Sequence, residues 1–323
     1  MSTTLTATQP VERRPIPGIG PDAALLELLS ALADAGYSFT SVTPATHARV
    51  LGRKPEAQTL RDVFGWSRPF REGAIPHSFV ELLQRADMLE QDGDRLKSKV
   101  RASSLGNDLF LHSAFPTDGE DSVFFGPDTY RYAALLEAEL PRLGPVSRIV
   151  DIGAGSGAGG IVAAKLAPGA ALTLSDVNPA ALRLATVNAA HAGINAELLE
   201  GPGLDKVTGA VDLVIANPPY IMDEGDRAYR NGGGMHGAQL SYEWALAGAK
   251  RLEPGGHMIL YTGVAMVEGR DELLVALNQH LPALGCSLAY RELDPDIFGE
   301  ELEKPPYRDV ERIAAIAAII TKG

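Results

Sequence analysis

Only one cysteine, Cys286, occurs in the 323 residues. A lone thiol can form neither an internal disulfide nor a cysteine-cluster metal site, which fits a reducing compartment and gives a cytoplasmic expectation. Cys286 stands in an apolar run and reads as a core strand residue. Long apolar runs are also missing: none approaches the roughly 18 residues of a membrane span. The opening "MSTTLTATQPVERRPIPG" lacks the apolar stretch of a signal peptide, so residues 1–19 are expected to be a disordered tail. Positive charge is scarce, with 29 Lys and Arg against 41 Asp and Glu, a net −12. General affinity for nucleic acid needs Lys and Arg to neutralise phosphate, so it is disfavoured. The deficit is uneven, −2 over residues 1–120 and −10 over the remainder. His236 and His257 have no metal-ligand spacing to another His or to Cys. No metal is expected; His257 reads as structural, and His236 as a substrate-contact candidate in a glycine-rich loop.

What is present changes character along the chain. Residues 22–36, "DAALLELLSALADAG", have helical apolar spacing and a glycine stop. A second helix is predicted over 78–89, and a hairpin over 95–113 with its turn at Gly106-Asn107. Helices followed by a wing predict a small α+β winged-helix-like domain over 20–115, a substrate or partner unit. Residues 116–146 are then a linker and helix bordering the site. From 147 to 323, "SRIVDIG", "ALTLSDV", "AELLEG", "VDLVIANP", "HMILYTGV", "CSLAYREL" and "IAAIAAII" are short apolar runs, with helical stretches between most of them. That alternation predicts an α/β, doubly wound, mostly parallel seven-stranded sheet covered on both faces.

The first of these strands ends in "DIGAGSGAGG", Asp151 to Gly160. Glycines let a backbone turn sharply and approach a ligand, and the following helix offers free N–H groups. The loop satisfies the loose pattern G-x-G-x-x-G/A, so NAD, FAD and S-adenosylmethionine all remain open at this point. Asp176 ends the second strand, 25 residues after Asp151, near the place of an acid that grips a ribose through its two hydroxyls. Alternatively it caps the helix that begins at Pro179, where Asn178 is also a good cap. Asp151 favours S-adenosylmethionine, because a carboxylate repels a pyrophosphate and attracts an ammonium or sulfonium.

The fourth strand is cut short in "VIANPPY", Val214 to Tyr220. Two prolines end the ladder, since each lacks a donor and has a fixed φ. An amide and an aromatic ring are thereby presented beyond the strand end. In a doubly wound sheet, strands one and four are neighbours where the order reverses, so this motif and the glycine loop reach one crevice. A planar nitrogen conjugated to a carbonyl or a heteroaromatic ring is a poor nucleophile. If the Asn217 side-chain oxygen and the Pro218 carbonyl accept its two N–H bonds, its lone pair is directed outward. Pro219 stiffens the turn, and the Tyr220 ring offers a flat surface. Attack on a sulfonium methyl then depends on positioning and electrostatics.

At these residues the sequence resembles class I S-adenosylmethionine-dependent methyltransferases of the amino-methylating branch. "DIGAGSG", "SDVNP" and "ANPPY" look like the HemK/PrmC family, which methylates the glutamine side-chain amide of peptide release factors. They are similar also to the "methyltransferase small" group, which includes RNA guanine and adenine amino-methyltransferases. The resemblance implies a cofactor site at Asp151, Gly153, Ala154, Gly155, Gly157, Asp176, Val177 and Asn217, and a catalytic motif at Asn217, Pro218, Pro219 and Tyr220. It places an adenine contact near Glu200 and Gly201. It also makes Phe125 and Thr129, in "FFGPDTYR", substrate-binding candidates beside Tyr220. The expected N-terminal unit departs from the helical bundle usual in HemK/PrmC, and the loop 221–237 is particular to this chain.

The favoured acceptor is a protein glutamine, and the runner-up is an exocyclic base nitrogen of RNA or DNA. Arg95, Lys97, Lys99 and Arg101 fall at period two, so one strand face could track phosphates or simply protect an edge. Phe110 is the one aromatic close enough to offer stacking there. A non-catalytic cofactor-binding module is the alternative of another class, and the intact Asn217–Tyr220 motif speaks against it.

Overall fold

The computed structural model describes residues 22–53, 56–222 and 230–323. The tail at 1–19 and part of the loop 221–237 lie outside them. The chain opens with helices α1 (Ala23–Asp34), α2 (Pro44–Leu51), α3 (Leu60–Phe64) and α4 (His77–Arg85). Leu25, Leu28, Leu29 and Leu32 of α1 recur at helical spacing and are fully buried. Each such leucine contributes about 1.5–3 kcal/mol over exposure. Thr43 and Thr59 cap α2 and α3 through their hydroxyls. These two helices have no long apolar stripe, and sequence periodicity does not show them.

Four short strands follow: β1 (Leu89–Asp92), β2 (Arg95–Ser98), β3 (Val100–Leu105) and β4 (Asp108–Ser113). The expected single hairpin is in fact half of two. β3 pairs with β4 around Gly106-Asn107, but β2 pairs backwards with β1. The second helix stops at Arg85, short of the expected 89, because Asp87 turns left-handed and Leu89 enters β1. This part packs on the main sheet domain: Ala181, Leu184 and Val187 join its core. Asn188 accepts from the Leu111 amide and donates to the Leu111 carbonyl, completing the junction.

The remaining elements are α5 (Pro127–Glu139), β5 (Arg148–Ile152), α6 (Ala158–Leu166), β6 (Ala171–Asp176), α7 (Pro179–His191), β7 (Ala196–Glu200), β8 (Val211–Ala216), α8 (Gln239–Arg251), β9 (Leu252–Val267), β10 (Arg270–Asp271), α9 (Glu272–His280), β11 (Cys286–Asp294) and β12 (Arg312–Lys322). All seven apolar runs from residue 147 onward are strands of one sheet, in the order β11-β12-β9-β8-β5-β6-β7. β7, β6, β5, β8 and β9 are parallel; β12 runs antiparallel between β9 and β11. This is the expected doubly wound sheet, and buried Cys286 sits in it as a core residue.

The order reverses at β5, which has β6 on one side and β8 on the other. Asp151 pairs with Ile215 and Ile152 with Ala216. The ends of β5 and β8 are therefore level, and the glycine loop and the Asn-Pro-Pro-Tyr turn emerge side by side. No helix among the described residues is long and apolar enough to cross a membrane.

Candidate active site

Two cavities meet at the end of β8. The first, of about 260 Å³, is lined by the glycine loop from Gly153 to Ser156, by Asp151, Asp176 and Val177, and by Gly201, Pro202 and Gly203 beyond β7. The second, of about 240 Å³, is walled by Phe115, Phe124, Phe298 and Pro44, with Asn217 to Ile221 along one side. Asn217 and Pro219 line both cavities. The strand-ending turn is the partition between them.

Local chemistry builds the first cavity. Gly153, Gly155 and Gly157 all have positive φ, a conformation that L side chains rarely adopt. At Gly155 a Cβ would meet nothing within 4 Å, so its backbone faces open space. Gly157 lies outside the lining; its close neighbour is Ala185, where a Cβ would stand 3.1 Å away. Its work is to seat α6 against α7. Asp176 Oδ2 accepts from the Gly155 amide at 2.8 Å, and its Oδ1 from Asn178 at 2.9 Å. The helix cap itself falls to Asn178, which accepts from Ala180. Asp176 thus holds the loop from the second strand, and its carboxylate borders the cavity.

Asp151 Oδ2 accepts from the Gly160 amide at 2.7 Å, one of the free donors in the first turn of α6. Burial pushes its carboxyl up to about 7, the Gly160 bond opposing. Near it, Tyr132 lines the same cavity, and its hydroxyl is buried without a hydrogen-bond partner. An unpaired phenol and a carboxyl short of compensating positive charge form an incomplete site. The amino-acid end of S-adenosylmethionine, an ammonium and a carboxylate, would complete it. These residues fit that cofactor; a pyrophosphate would meet Asp151 instead. Tyr132 gave no motif signal in the sequence, and neither did Trp244, whose ring packs where a Gly153 Cβ would fall, 2.5 Å away.

The Asp151 shift has a sign that can be checked. Its folded value is raised, so the folded chain holds the proton more tightly than the unfolded chain. Its contribution to stability is greatest below about pH 4, falls as pH rises to about 7, and is constant above. Binding of a cationic ammonium needs the ionised form. Affinity for S-adenosylhomocysteine is therefore expected to weaken as pH falls below about 7, and calorimetry of Asp151→Asn should show that pH dependence lost.

Other expected residues fall differently. Thr129 lines the first cavity and its hydroxyl accepts from Gly126. Gly201 lines it too, while Glu200 does not. Phe125 lines neither cavity: it is buried against Phe110 and stacked on His112, and its neighbour Phe124 faces both spaces instead. Adjacent side chains there point opposite ways, which periodicity alone could not phase. His236 is also absent from both linings and pairs with Asp309 at 3.4 Å. His257 bonds Thr321 between neighbouring strands. No metal-binding cluster exists among the described residues.

The basic strand face is likewise corrected. β2 ends at Ser98, so the four residues do not share one strand. Arg95 pairs with Asp92, Lys97 with Glu90 and Lys99 with Asp87. Arg101 is buried and donates to the Ser113 carbonyl at 3.0 Å. Phe110 is buried and offers no stacking surface.

Residues 129–262, from the first turn of α5 through most of β9, match the family model described as Methyltransferase small domain. That stretch, under half of the chain, holds the glycine loop, Asp176 and the Asn217–Tyr220 motif, and it is similar to methyltransferase domains. More particularly, the chain is 31% identical over 179 residues to a release factor glutamine methyltransferase of Deinococcus radiodurans, covering 54% of this chain and 63% of the relative. It is 35% identical over 155 residues to the enzyme of that name from Neisseria gonorrhoeae, covering 47% and 54%. A ribosomal RNA small subunit methyltransferase C of Serratia proteamaculans is 40% identical over 73 residues, 23% of this chain and 21% of that one. The chain spans less than two thirds of the length of each.

Proposed function

We propose that the chain is an S-adenosylmethionine-dependent N-methyltransferase acting on a planar amide-type nitrogen, with a protein glutamine side chain as the favoured acceptor. The observation that carries this reading is the shared partition: Asn217 and Pro219 border the cofactor-shaped cavity and the aromatic-walled one together. When bound, the cofactor supplies a sulfonium methyl. Asp176 would hold its ribose, and Asp151 and Tyr132 its amino-acid end. The Asn217 oxygen and the Pro218 carbonyl would take the acceptor's two N–H bonds and so direct its lone pair outward. Catalysis is then positioning, with no side-chain nucleophile, and the surplus proton leaves to water. In this reading residues 147–323 are the catalytic unit, 116–146 the bordering segment and 20–115 the unit that holds the acceptor.

The charge balance supports a protein acceptor, because Arg95, Lys97 and Lys99 are already paired with carboxylates and Arg101 is buried. An exocyclic base nitrogen is the second reading, favoured by the stacking surfaces of Phe115, Phe124 and Phe298 in the second cavity. Transfer of labelled methyl to an extract of the source cells, followed by protease or nuclease, separates the two. Protease-sensitive label is the expected result. Reversal of Lys97 and Lys99 to Glu should change the rate only modestly. A nucleic-acid acceptor held there would instead give a log–log salt slope of about −0.7 to −0.9 per phosphate contact, lost in the double variant.

A further inference from the structure

Asp128 lies in the first turn of α5, and its side chain is almost fully buried at the wall of the second cavity. It accepts the Tyr220 hydroxyl at 2.6 Å on one oxygen and the Tyr261 hydroxyl at 2.7 Å on the other. Arg131, one turn on, bridges to it at 3.2 Å and is itself held by Asp294 at 2.9 Å. Three elements thus meet at one carboxylate: the turn after β8, strand β9 and helix α5. The Tyr220 ring is fixed from its other sides as well. A Cβ at Gly263 would stand 2.4 Å from it, so β9 carries a glycine where the ring lies down. Phe298 meets it edge-on, with centroids 5.8 Å apart. Burial, then the Asp128 charge, holds the Tyr220 phenol well above its usual range, so its proton stays in the bond to Asp128.

We propose that Asp128 is the positioning residue of the acceptor site, locking Tyr220 and through it the turn that carries the Asn217 and Pro218 acceptors. The inference rests on the methyl-transfer reading above. Charge-assisted bonds from two phenols are short and strong, and they tie a four-residue turn to two rigid elements. The two prolines cannot donate ladder hydrogen bonds, so between β8 and the bridge at Ile221 the turn is held by what grips Tyr220. Asp128 does this without touching the reacting atoms. Its neighbour Thr129 lines the cofactor-shaped cavity. One turn of α5 therefore borders both cavities and fixes the spacing between them.

Asp128→Asn tests it. The amide keeps the shape but presents a donor on one side, so one of the two tyrosine hydroxyls loses its acceptor. In the labelled-methyl assay, run on the wild-type acceptor extract over a dilution series, apparent kcat is expected to fall about tenfold or more. Affinity for S-adenosylhomocysteine should not change. Tyr220→Phe alone should show a comparable loss, and the two changes together should lose no more than Asp128→Asn alone. The carbon-13 Cζ resonance of Tyr220, assigned by its disappearance in Tyr220→Phe, should shift in Asp128→Asn. If Asp128→Asn fails to fold, Tyr220→Phe carries the kinetic test. Full turnover in either variant, or fully additive losses, overturns the proposal, as does an unmoved Tyr220 resonance. Absence of any transfer by the wild type would sink the functional reading instead, while the resonance would still report on the lock.

Discussion

Asn217→Ala is expected to bind S-adenosylhomocysteine about as tightly as the wild type and to turn over at least roughly 10²-fold more slowly. The side chain borders both cavities, but ribose and amino-acid contacts in the first are assigned to Asp176, Asp151 and Tyr132. In the proposed mechanism the substitution removes an acceptor for the reacting nitrogen. Without it, the amide can rotate, and its lone pair no longer faces the methyl. Loss of orientation appears in kcat, while cofactor affinity reports that the first cavity is intact. The measurement pairs calorimetry with initial rates on the labelled extract. Retention of full turnover would remove the amide-acceptor mechanism, whatever the acceptor proves to be.

Asp176→Ala should have the opposite signature. Its carboxylate accepts from Gly155 and Asn178 in the protein, and in the proposed reading it also accepts two ribose hydroxyls from the cofactor. Truncation strands those donors in a buried setting, at a cost of about 1–3 kcal/mol. That is roughly a 5- to 150-fold weaker affinity for S-adenosylhomocysteine. Part of the loss comes from the loop, because the Gly155 amide also loses its anchor. Asp176→Asn should fall between, since an amide oxygen can replace only one of the two acceptors. Calorimetry is the readout, with NADH as the control ligand. Tight NADH binding by the wild type would contradict the reading of the first cavity, because Asp151 sits where a pyrophosphate would have to lie.

Much of this site was legible in the linear chain. Asp151, Asp176 and the Asn217–Tyr220 motif stand at the ends of apolar runs, and in a doubly wound sheet the ends of strands one and four must meet. Local rules alone therefore brought the two motifs to one crevice, and the register of Asp151 with Ile215 realises it. The runs at β5, β6, β8, β9 and β12 were visible as strands because a strand covered on both faces is mostly apolar; those at β7 and β11, on the sheet edges, are partly exposed and carry polar residues.

Other features depended on partners far away in sequence. The α2 and α3 helices are short and capped rather than striped, so no periodicity marks them. β2 alternates its charges as an exposed strand would, yet pairing with β1 puts an acid beside Lys97, and a salt-bridged turn puts one beside Arg95. Arg101 reads like the three before it and is buried, on the face of β3 opposite Val100 and Ala102, where it donates to Ser113 and lies 3.5 Å from His47 of α2. Phe125 and Phe124 are indistinguishable in the string; packing on Phe110 and His112 decided which one fills the core. Asp128 bonds tyrosines 92 and 133 residues away, a junction that no local spacing encodes. The sequence by itself determined the strands, their ends and the chemistry placed there, since these follow from local covalent and hydrophobic rules. Tertiary structure decided which charges are free, which aromatic rings face the cavities and what holds the motif still, since each depends on burial and on a partner distant along the chain.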